Sequence, residues 1–291
     1  MTALAFALYV GKRVDSTEKP PHNMSHVVLG TSFIWFGWLV ANAGCGLKPN
    51  MRAVNTFIST NLSAAIGGIT WCTIDYFRQG KWSALGFCTG LVCGLVAITP
   101  ASGYVSASSS LAFGTIGSIV CNFSMGIKNL MQVDDAMDVF GLHGIGGIVG
   151  NFLVAIFAQK SVAIVDGTVI EGGWLDGNWK QIGIQAIDTA ACASWSFLVS
   201  LVLLFVIDKI PGLKLRVDGE AEKKGLDAVE LGFSQYEFFG EVSAMEKMQG
   251  SNMFSLSMRL GNNSKELVNH GFVGDDDNAD SKENVMTTQH I

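Results

Sequence analysis

Charged side chains are scarce in this sequence. Asp, Glu, Lys and Arg make up 15% of the 291 residues, whereas hydrophobic residues make up 49%. Residues 1–207 carry ten basic and ten acidic side chains, and residues 208–291 carry nine basic against fifteen acidic ones, so the net charge of −6 belongs to the C-terminal segment. This composition is typical of an integral membrane protein, and we expect no nucleic-acid partner.

The patterns of several common sites are also missing. The six cysteines have neither the paired spacing of a metal site nor the polar surroundings of a disulfide framework, and we interpret them as small packing residues. The first ten residues are apolar but lack the basic segment and the cleavage site of a signal peptide. We expect no metal, no cofactor and no enzymatic activity. The cysteines are Cys45, Cys72, Cys88, Cys93, Cys121 and Cys192.

Long hydrophobic runs predict six membrane-spanning helices. Most are near the ~20 residues that a helix needs to cross a bilayer. They cover about residues 27–45, 57–77, 84–101, 108–127, 139–158 and 182–207. We interpret residues 1–11 as the end of a helix that begins earlier, and residues 246–291 as a disordered acidic tail. The loops between the spans alternate between basic ones and less basic or acidic ones. The positive-inside rule therefore predicts a cytoplasmic C-terminal segment.

His143 is the single ionisable side chain in the hydrophobic run of residues 139–158. Gly146, Gly147 and Gly150 follow at helical spacing, which predicts bare backbone beside the imidazole that another helix or a small solute can approach. Ionisable groups inside spans usually mark a pathway, and a core histidine bonded to a carbonyl is the alternative. A hydrolase is not expected, because no nucleophile or metal cluster accompanies the histidine.

A second candidate stripe lies in the first of the six predicted spans. It runs from apolar through aromatic to weakly polar side chains along one helix face. In one interpretation it lines a path through the membrane, and in the other its tryptophan is an interfacial anchor. The residues that share this face are Ile34, Trp38, Ala41, Asn42 and Cys45.

Three motifs carry a family resemblance. Residues 33–44 read FIWFGWLVANAG, residues 94–104 read GLVAITPASGY, and residues 133–151 read VDDAMDVFGLHGIGGIVGN. In this order and spacing they resemble the ammonium transporter family, in its fungal-like eukaryotic branch. The segment that starts at Pro211 is similar too, so the resemblance covers about residues 3–240.

The resemblance implies an all-α membrane protein that corresponds to the second half of an eleven-helix inverted-repeat transporter. It implies ammonium or ammonia as the solute, with methylammonium as a further candidate. His143 matches the second of two pore histidines, Ile34, Trp38 and Val139 match pore-lining positions, and Cys45 matches an outer recruitment site. The resemblance also implies a plasma-membrane location, a homotrimer or assembly with full-length paralogous subunits, and a cytoplasmic regulatory segment over residues 208–245.

The sequence departs from the family pattern in several places. Ala41 stands where the family usually has a pore phenylalanine, and Cys45 where it usually has a serine, and both changes are expected to loosen selectivity or recruitment. By the family's spacing, four spans and the partner histidine would precede Met1, so we expect this chain to be the second half of a transporter. The alternative function is a non-conducting fragment that associates with full-length subunits and modulates them.

Overall fold

The computed structural model describes residues 1–15 and 21–232, and within these ranges its regular structure is helical. The chain divides into two units, Met1–Gly232 and Phe233–Ile291, and the second unit lies outside the described residues. Part of the predicted regulatory segment and the whole of the predicted disordered tail therefore lie outside them too. The helices are α1 (Thr2–Val10), α2 (Met24–Gly44), α3 (Met51–Gln79), α4 (Ala84–Ile98), α5 (Ala107–Ser124), α6 (Ile127–Leu130), α7 (Gly146–Phe157), α8 (Lys160–Ala163), α9 (Gln181–Asp208) and α10 (Gly219–Lys224).

Shorter helical turns connect or extend several of these helices. The 3₁₀ turns are Thr99–Ala101, Ile164–Asp166 and Trp174–Asp176. The π-helical turns are Phe140–Ile145, which leads into α7, and Asp227–Leu231.

Six segments in the described ranges are long and apolar enough to cross a membrane. The expected all-α membrane class is therefore confirmed. The segments are Met24–Gly44, Met51–Gln79, Ala84–Ala101, Ala107–Leu130, Phe140–Phe157 and Gln181–Asp208.

A polar side chain caps the start of each of the helices α2 to α5. Asn23, Asn50, Ser83 and Ser106 have extended backbones, and the side chain of each accepts a hydrogen bond from the amide three residues later. The caps satisfy amides that have no partner inside the helix, and they set the residue at which each apolar run becomes helical. Helix α3 consequently begins at residue 51, directly after its asparagine cap.

Helices α3, α4 and α5 pack backbone to backbone through small residues. A Cβ atom on Gly67 or Gly94 would collide with the backbone of the neighbouring helix. The Ser63 hydroxyl donates to the carbonyl of Gly94 at 2.8 Å, and the Ser118 hydroxyl donates to the carbonyls of Gly67 and Gly90 at 3.0 and 3.2 Å. Because lipid provides no hydrophobic drive between helices, close packing and these buried hydrogen bonds hold the three together.

Helix α7 packs against α4 and α5 through two of its glycines. Gly150 lies against the backbone of Ala97, and Gly146 lies against Val96 and Cys121. A larger residue at either position would push the helices apart. This contact fixes the start of α7 and with it the π-helical turn that precedes it.

Helix α9 lies beside α1 and α7. The Tyr9 hydroxyl donates to the carboxylate of Asp208 at 3.3 Å, and the Asn151 amide donates to Asp188 at 2.9 Å and to Thr189 at 2.7 Å. A carboxylate within a membrane span is costly unless it has a partner. The asparagine from α7 is that partner for Asp188.

Candidate functional site

His143 lies in the π-helical turn Phe140–Ile145. The carboxylate of Asp135 accepts hydrogen bonds from the amide of Val139 at 3.1 Å and from the amide of Phe140 at 2.8 Å. Amides at the start of a helical segment have no partner within it, and a carboxylate there also complements the helix dipole. The turn that carries the imidazole is therefore anchored at its N-terminal side.

A second acidic residue holds the loop before this turn. Asp138 has a positive φ of 53°, and its carboxylate forms an ion pair with Lys128 of α6 at 2.7 Å. The two side chains are only 24% and 15% exposed. The ion pair stabilises the reversal of the chain that leads into the turn, since few non-glycine residues adopt a positive φ without such support.

The imidazole of His143 stacks on the indole of Trp38 from α2. The ring centroids are 6.1 Å apart and the ring planes are inclined by 18°. Trp38 is half-buried and His143 is exposed in the described part of the chain. The two candidate segments of the sequence therefore meet at this stack, which presents an imidazole beside an apolar ring face.

A network of polar side chains from α2, α3 and the end of α4 binds the indole N–H of Trp38. Trp38 Nε1 donates to Thr99 Oγ1 at 2.8 Å, and Asn42 Nδ2 donates to Thr60 Oγ1 at 3.2 Å and to Thr99 Oγ1 at 3.4 Å. Asn42 is 4% exposed. Sequence reasoning missed both threonines, because a hydroxyl in an apolar helix usually bonds a carbonyl of its own helix and gives no sign of a partner elsewhere.

The other predicted site residues lie on exposed surface. Ile34 is 46% and Val139 37% exposed, and Ala41 and Cys45 are exposed as well. The Cys45 thiol, just past the end of α2, donates to the carbonyl of Ala41 at 3.3 Å. Of all the predicted site residues, Trp38 is the one that stacks on the imidazole. The others lie along α2 or, in the case of Val139, at the start of the π-helical turn.

One of the three glycines after His143 leaves open space. A Cβ atom on Gly147 would meet no atom within 4 Å. Gly146 and Gly150 instead contact α4 and α5. The sequence predicts bare backbone that another helix or a small solute can approach. Neighbouring helices approach it at Gly146 and Gly150, and the space beside Gly147 stays open.

The site offers one imidazole in an apolar wall. A neutral imidazole donates one hydrogen bond and accepts another. Within residues 1–15 and 21–232, no group of three or more His, Cys, Asp or Glu side chains is arranged to hold a metal ion. The arrangement therefore suits hydrogen bonding to a small polar molecule that moves past the ring.

Polar contacts join three segments next to the start of the turn. Arg13 donates to both carboxylate oxygens of Asp134, at 2.7 and 2.8 Å. Arg216 donates to the carbonyl of Lys12 at 2.7 Å and to Glu222 at 3.1 Å. The hydrogen bond from Arg13 holds the pKa of Asp134 below its usual range. The connection after α1, the loop before α7 and the segment after α9 are thus linked to one another.

Comparisons with known proteins agree with this architecture. A family model described as Ammonium Transporter Family matches residues 1–236. Ammonium transporter 1 of Schizosaccharomyces pombe is 48% identical over 240 residues, which are 81% of this chain and 48% of that protein. Ammonium transporter MEP3 of Saccharomyces cerevisiae is 45% identical over 241 residues, which are 82% of this chain and 49% of that protein. The chain spans about half the length of the curated relatives it matches.

Solved structures also match. The crystal structure of Candida albicans Mep2 superposes with a TM-score of 0.70 at 46% identity, over 75% of this chain and 50% of that chain. The crystal structure of Saccharomyces cerevisiae Mep2 superposes with a TM-score of 0.71 at 41% identity, over the same shares of the two chains.

Proposed function

This chain belongs to the ammonium transporter family, and from that premise we propose that it conducts ammonium nitrogen across a membrane along a path past His143 and Trp38. The observation that carries the proposal is the stack of the two rings beside the open space at Gly147. A conduction path needs an open surface along it. Here that surface carries His143, the one ionisable side chain in residues 139–158.

Neutral ammonia is the species that suits this surface. An intact cation loses its hydration in an apolar path at a cost of many kcal/mol, whereas a neutral molecule that keeps a hydrogen bond loses far less. We therefore propose that ammonium releases its proton before the apolar part of the path. Ammonia then exchanges hydrogen bonds with the neutral imidazole of His143, which both donates and accepts. The proton crosses separately, with the imidazole as the group in this span that can take it up and release it.

The remaining site residues have supporting roles in this proposal. Ile34, Trp38, Ala41 and Val139 form the uncharged wall that excludes hydrated ions. Cys45, at the end of α2, belongs to the outer recruitment site, where ammonium binds before it enters the path. Aromatic rings at such a site would hold the cation through cation–π contacts worth ~2 kcal/mol when desolvated.

We further propose a plasma-membrane location with the C-terminal segment in the cytoplasm. Basic side chains of three separate segments support this orientation, since Arg13, Lys128 and Arg216 all belong to the connections at the end of the bundle where α7 begins. We propose a homotrimer, or assembly with full-length subunits of the family. Large exposed side chains on α2 and α9, such as Phe33 at 70% and Trp195 at 73%, support contacts with lipid and with other subunits.

Growth on ammonium tests the proposal. A host that lacks its own ammonium uptake receives the chain alone, or together with a full-length family subunit, and is supplied with ammonium as its sole nitrogen source. Growth that the chain supports and that His143→Ala abolishes is the expected result. His26→Ala, at the exposed start of α2, is the matched control and should grow normally.

The two arms of this test separate the candidate functions. If the chain reaches the membrane and changes growth only through the full-length subunit, it modulates that subunit and does not conduct. If it has no effect in either arm, the conduction proposal is wrong.

A further inference from the structure

We infer that Thr99 is a positioning residue that holds the Trp38 indole flat against His143. The inference rests on the proposed path past these two rings, but its structural part can be measured without transport. The three residues come from three separate helical segments, so the contact belongs to the folded chain alone.

Thr99 lies where α4 passes into the 3₁₀ turn Thr99–Ala101. Its amide donates to the carbonyl of Val96, three residues back. The carbonyl of Leu95, four residues back, accepts the hydroxyl proton of Thr99 at 2.8 Å. Pro100 follows, and its fixed φ and missing amide proton hold the backbone in this turn. The proton of the Thr99 hydroxyl is therefore committed to its own helix.

The hydroxyl oxygen of Thr99 faces two donors from α2. Trp38 Nε1 lies at 2.8 Å and Asn42 Nδ2 at 3.4 Å. An indole nitrogen and an amide NH₂ group donate and do not accept, so neither hydrogen bond can be inverted. Thr99 is thus a pure acceptor on this side, and the Trp38 N–H has a single defined direction.

This direction matters for the imidazole. With its N–H bound to Thr99, the indole presents its face to His143, at an interplanar angle of 18°. An indole that lost this acceptor would turn toward another one, and the unprotonated nitrogen of the neighbouring imidazole is an acceptor. Thr99 therefore keeps the Trp38 N–H away from the nitrogen that a passing ammonia molecule would use.

Three substitutions in the full chain, in lipid nanodiscs, test the inference. Thr99→Val removes the acceptor and keeps the shape, and Thr99→Ser keeps the acceptor. Thr89→Val is the matched control, because Thr89 is half-buried on the same helix and makes the same bond to the carbonyl four residues back, that of Leu85 at 2.9 Å. Magnetic resonance of isotope-labelled chain then follows the indole N–H of Trp38, assigned with Trp38→Phe, and the ring signals of His143 as a function of pH.

We expect Thr99→Val to move the Trp38 N–H signal and the titration midpoint of His143. Thr99→Ser and Thr89→Val should leave both unchanged. In transport assays Thr99→Val should lower the maximal uptake rate about five- to tenfold, the effect of one hydrogen bond, with KM unchanged. Thr99→Ser should restore the rate.

An unchanged Trp38 signal in Thr99→Val overturns the inference, whatever happens to uptake. If Thr99→Val does not fold, Thr99→Ala replaces it, since alanine also lacks the acceptor. A wild-type chain that does not transport contradicts the proposed function, and the Trp38 signal still decides whether Thr99 positions the indole.

Discussion

At the level of single residues, two side chains from outside the π-helical turn define the surroundings of His143. Trp38 covers one face of the ring, and Asp135 anchors the turn that carries it. The glycines that follow His143 divide by role, since Gly150 packs against α4 and Gly147 borders open space. This division can be tested by adding one methyl group at each position, because the expected effect is on stability at Gly150 and on uptake at Gly147.

Gly150→Ala is expected to destabilise the protein, because the added methyl group would collide with the backbone of Ala97. Overpacking of this kind costs about 1–3 kcal/mol. Gly147→Ala, the matched control, should keep the stability of the wild type, since its methyl group meets no atom within 4 Å, but it should slow uptake by narrowing the path. Thermal unfolding in detergent measures the first effect and an uptake assay the second. Equal unfolding temperatures for the two variants would contradict this packing.

At the scale of elements, the π-helical turn is the part of the fold that local sequence describes least well. Residues 139–158 form one uninterrupted apolar run, for which an ordinary α-helix is the simplest expectation. In the structure the first turn is wider, and its amides bond to the carboxylate of Asp135 in the preceding loop. Wider turns of this kind are often found at functional sites.

Asp135→Ala is expected to loosen this turn. Two amides would lose their acceptor, which costs about 0.5–2 kcal/mol by analogy with helix caps. Thermal unfolding should report the lost stability, and the ring signals of His143 should broaden. Asp176→Ala is the control, because Asp176 likewise accepts from a backbone amide, that of Lys160, in a different loop. His143 signals that respond equally to both substitutions would argue against a specific role for the Asp135 cap.

At the scale of the whole molecule, the contacts next to α7 join segments from both ends of the described chain. Arg13 pairs with Asp134, and Arg216 bridges the connection after α1 and Glu222 of α10. The backbone amide of Val14 and, to a smaller extent, Arg216 lower the pKa of Glu222, and Arg13 lowers that of Asp134. Both carboxylates therefore stabilise the linked arrangement in their ionised form.

These lowered pKa values predict a pH dependence. A carboxylate whose pKa is lowered on folding contributes stability above its unfolded pKa, about 4, and this contribution is lost as the pH falls through the folded pKa. Residues 209–232 should thus stay docked at neutral pH, and the protection of their amides relative to the intrinsic exchange rate at each pH should fall when the pH drops below about 4. Asp134→Asn should produce faster exchange already at neutral pH. Glu220→Gln, at an exposed pair with Lys223, should not. Amide protection that stays the same above and below pH 4 would contradict this linkage.

Much of the fold could be predicted from the sequence, and less of the candidate site. The membrane class and the family follow from apolar runs and from motifs such as the one around His143. Trp38 and His143 each stand out within their own helix, but spacing within one helix does not predict that the two rings meet. Thr99 and Thr60 carried no local signal, because their partners come from other helices.

The helical membrane class and the membership in the ammonium transporter family follow from the chain alone, because composition, run length and motif order are properties of the sequence. Three features follow from the packing of the helices: Trp38 stacks on His143, Thr99 accepts the hydrogen bond of the indole, and Gly147 borders open space while Gly146 and Gly150 do not. These contacts depend on how helices approach one another. That approach is set by close packing of small residues across several helices at once, which no single segment specifies.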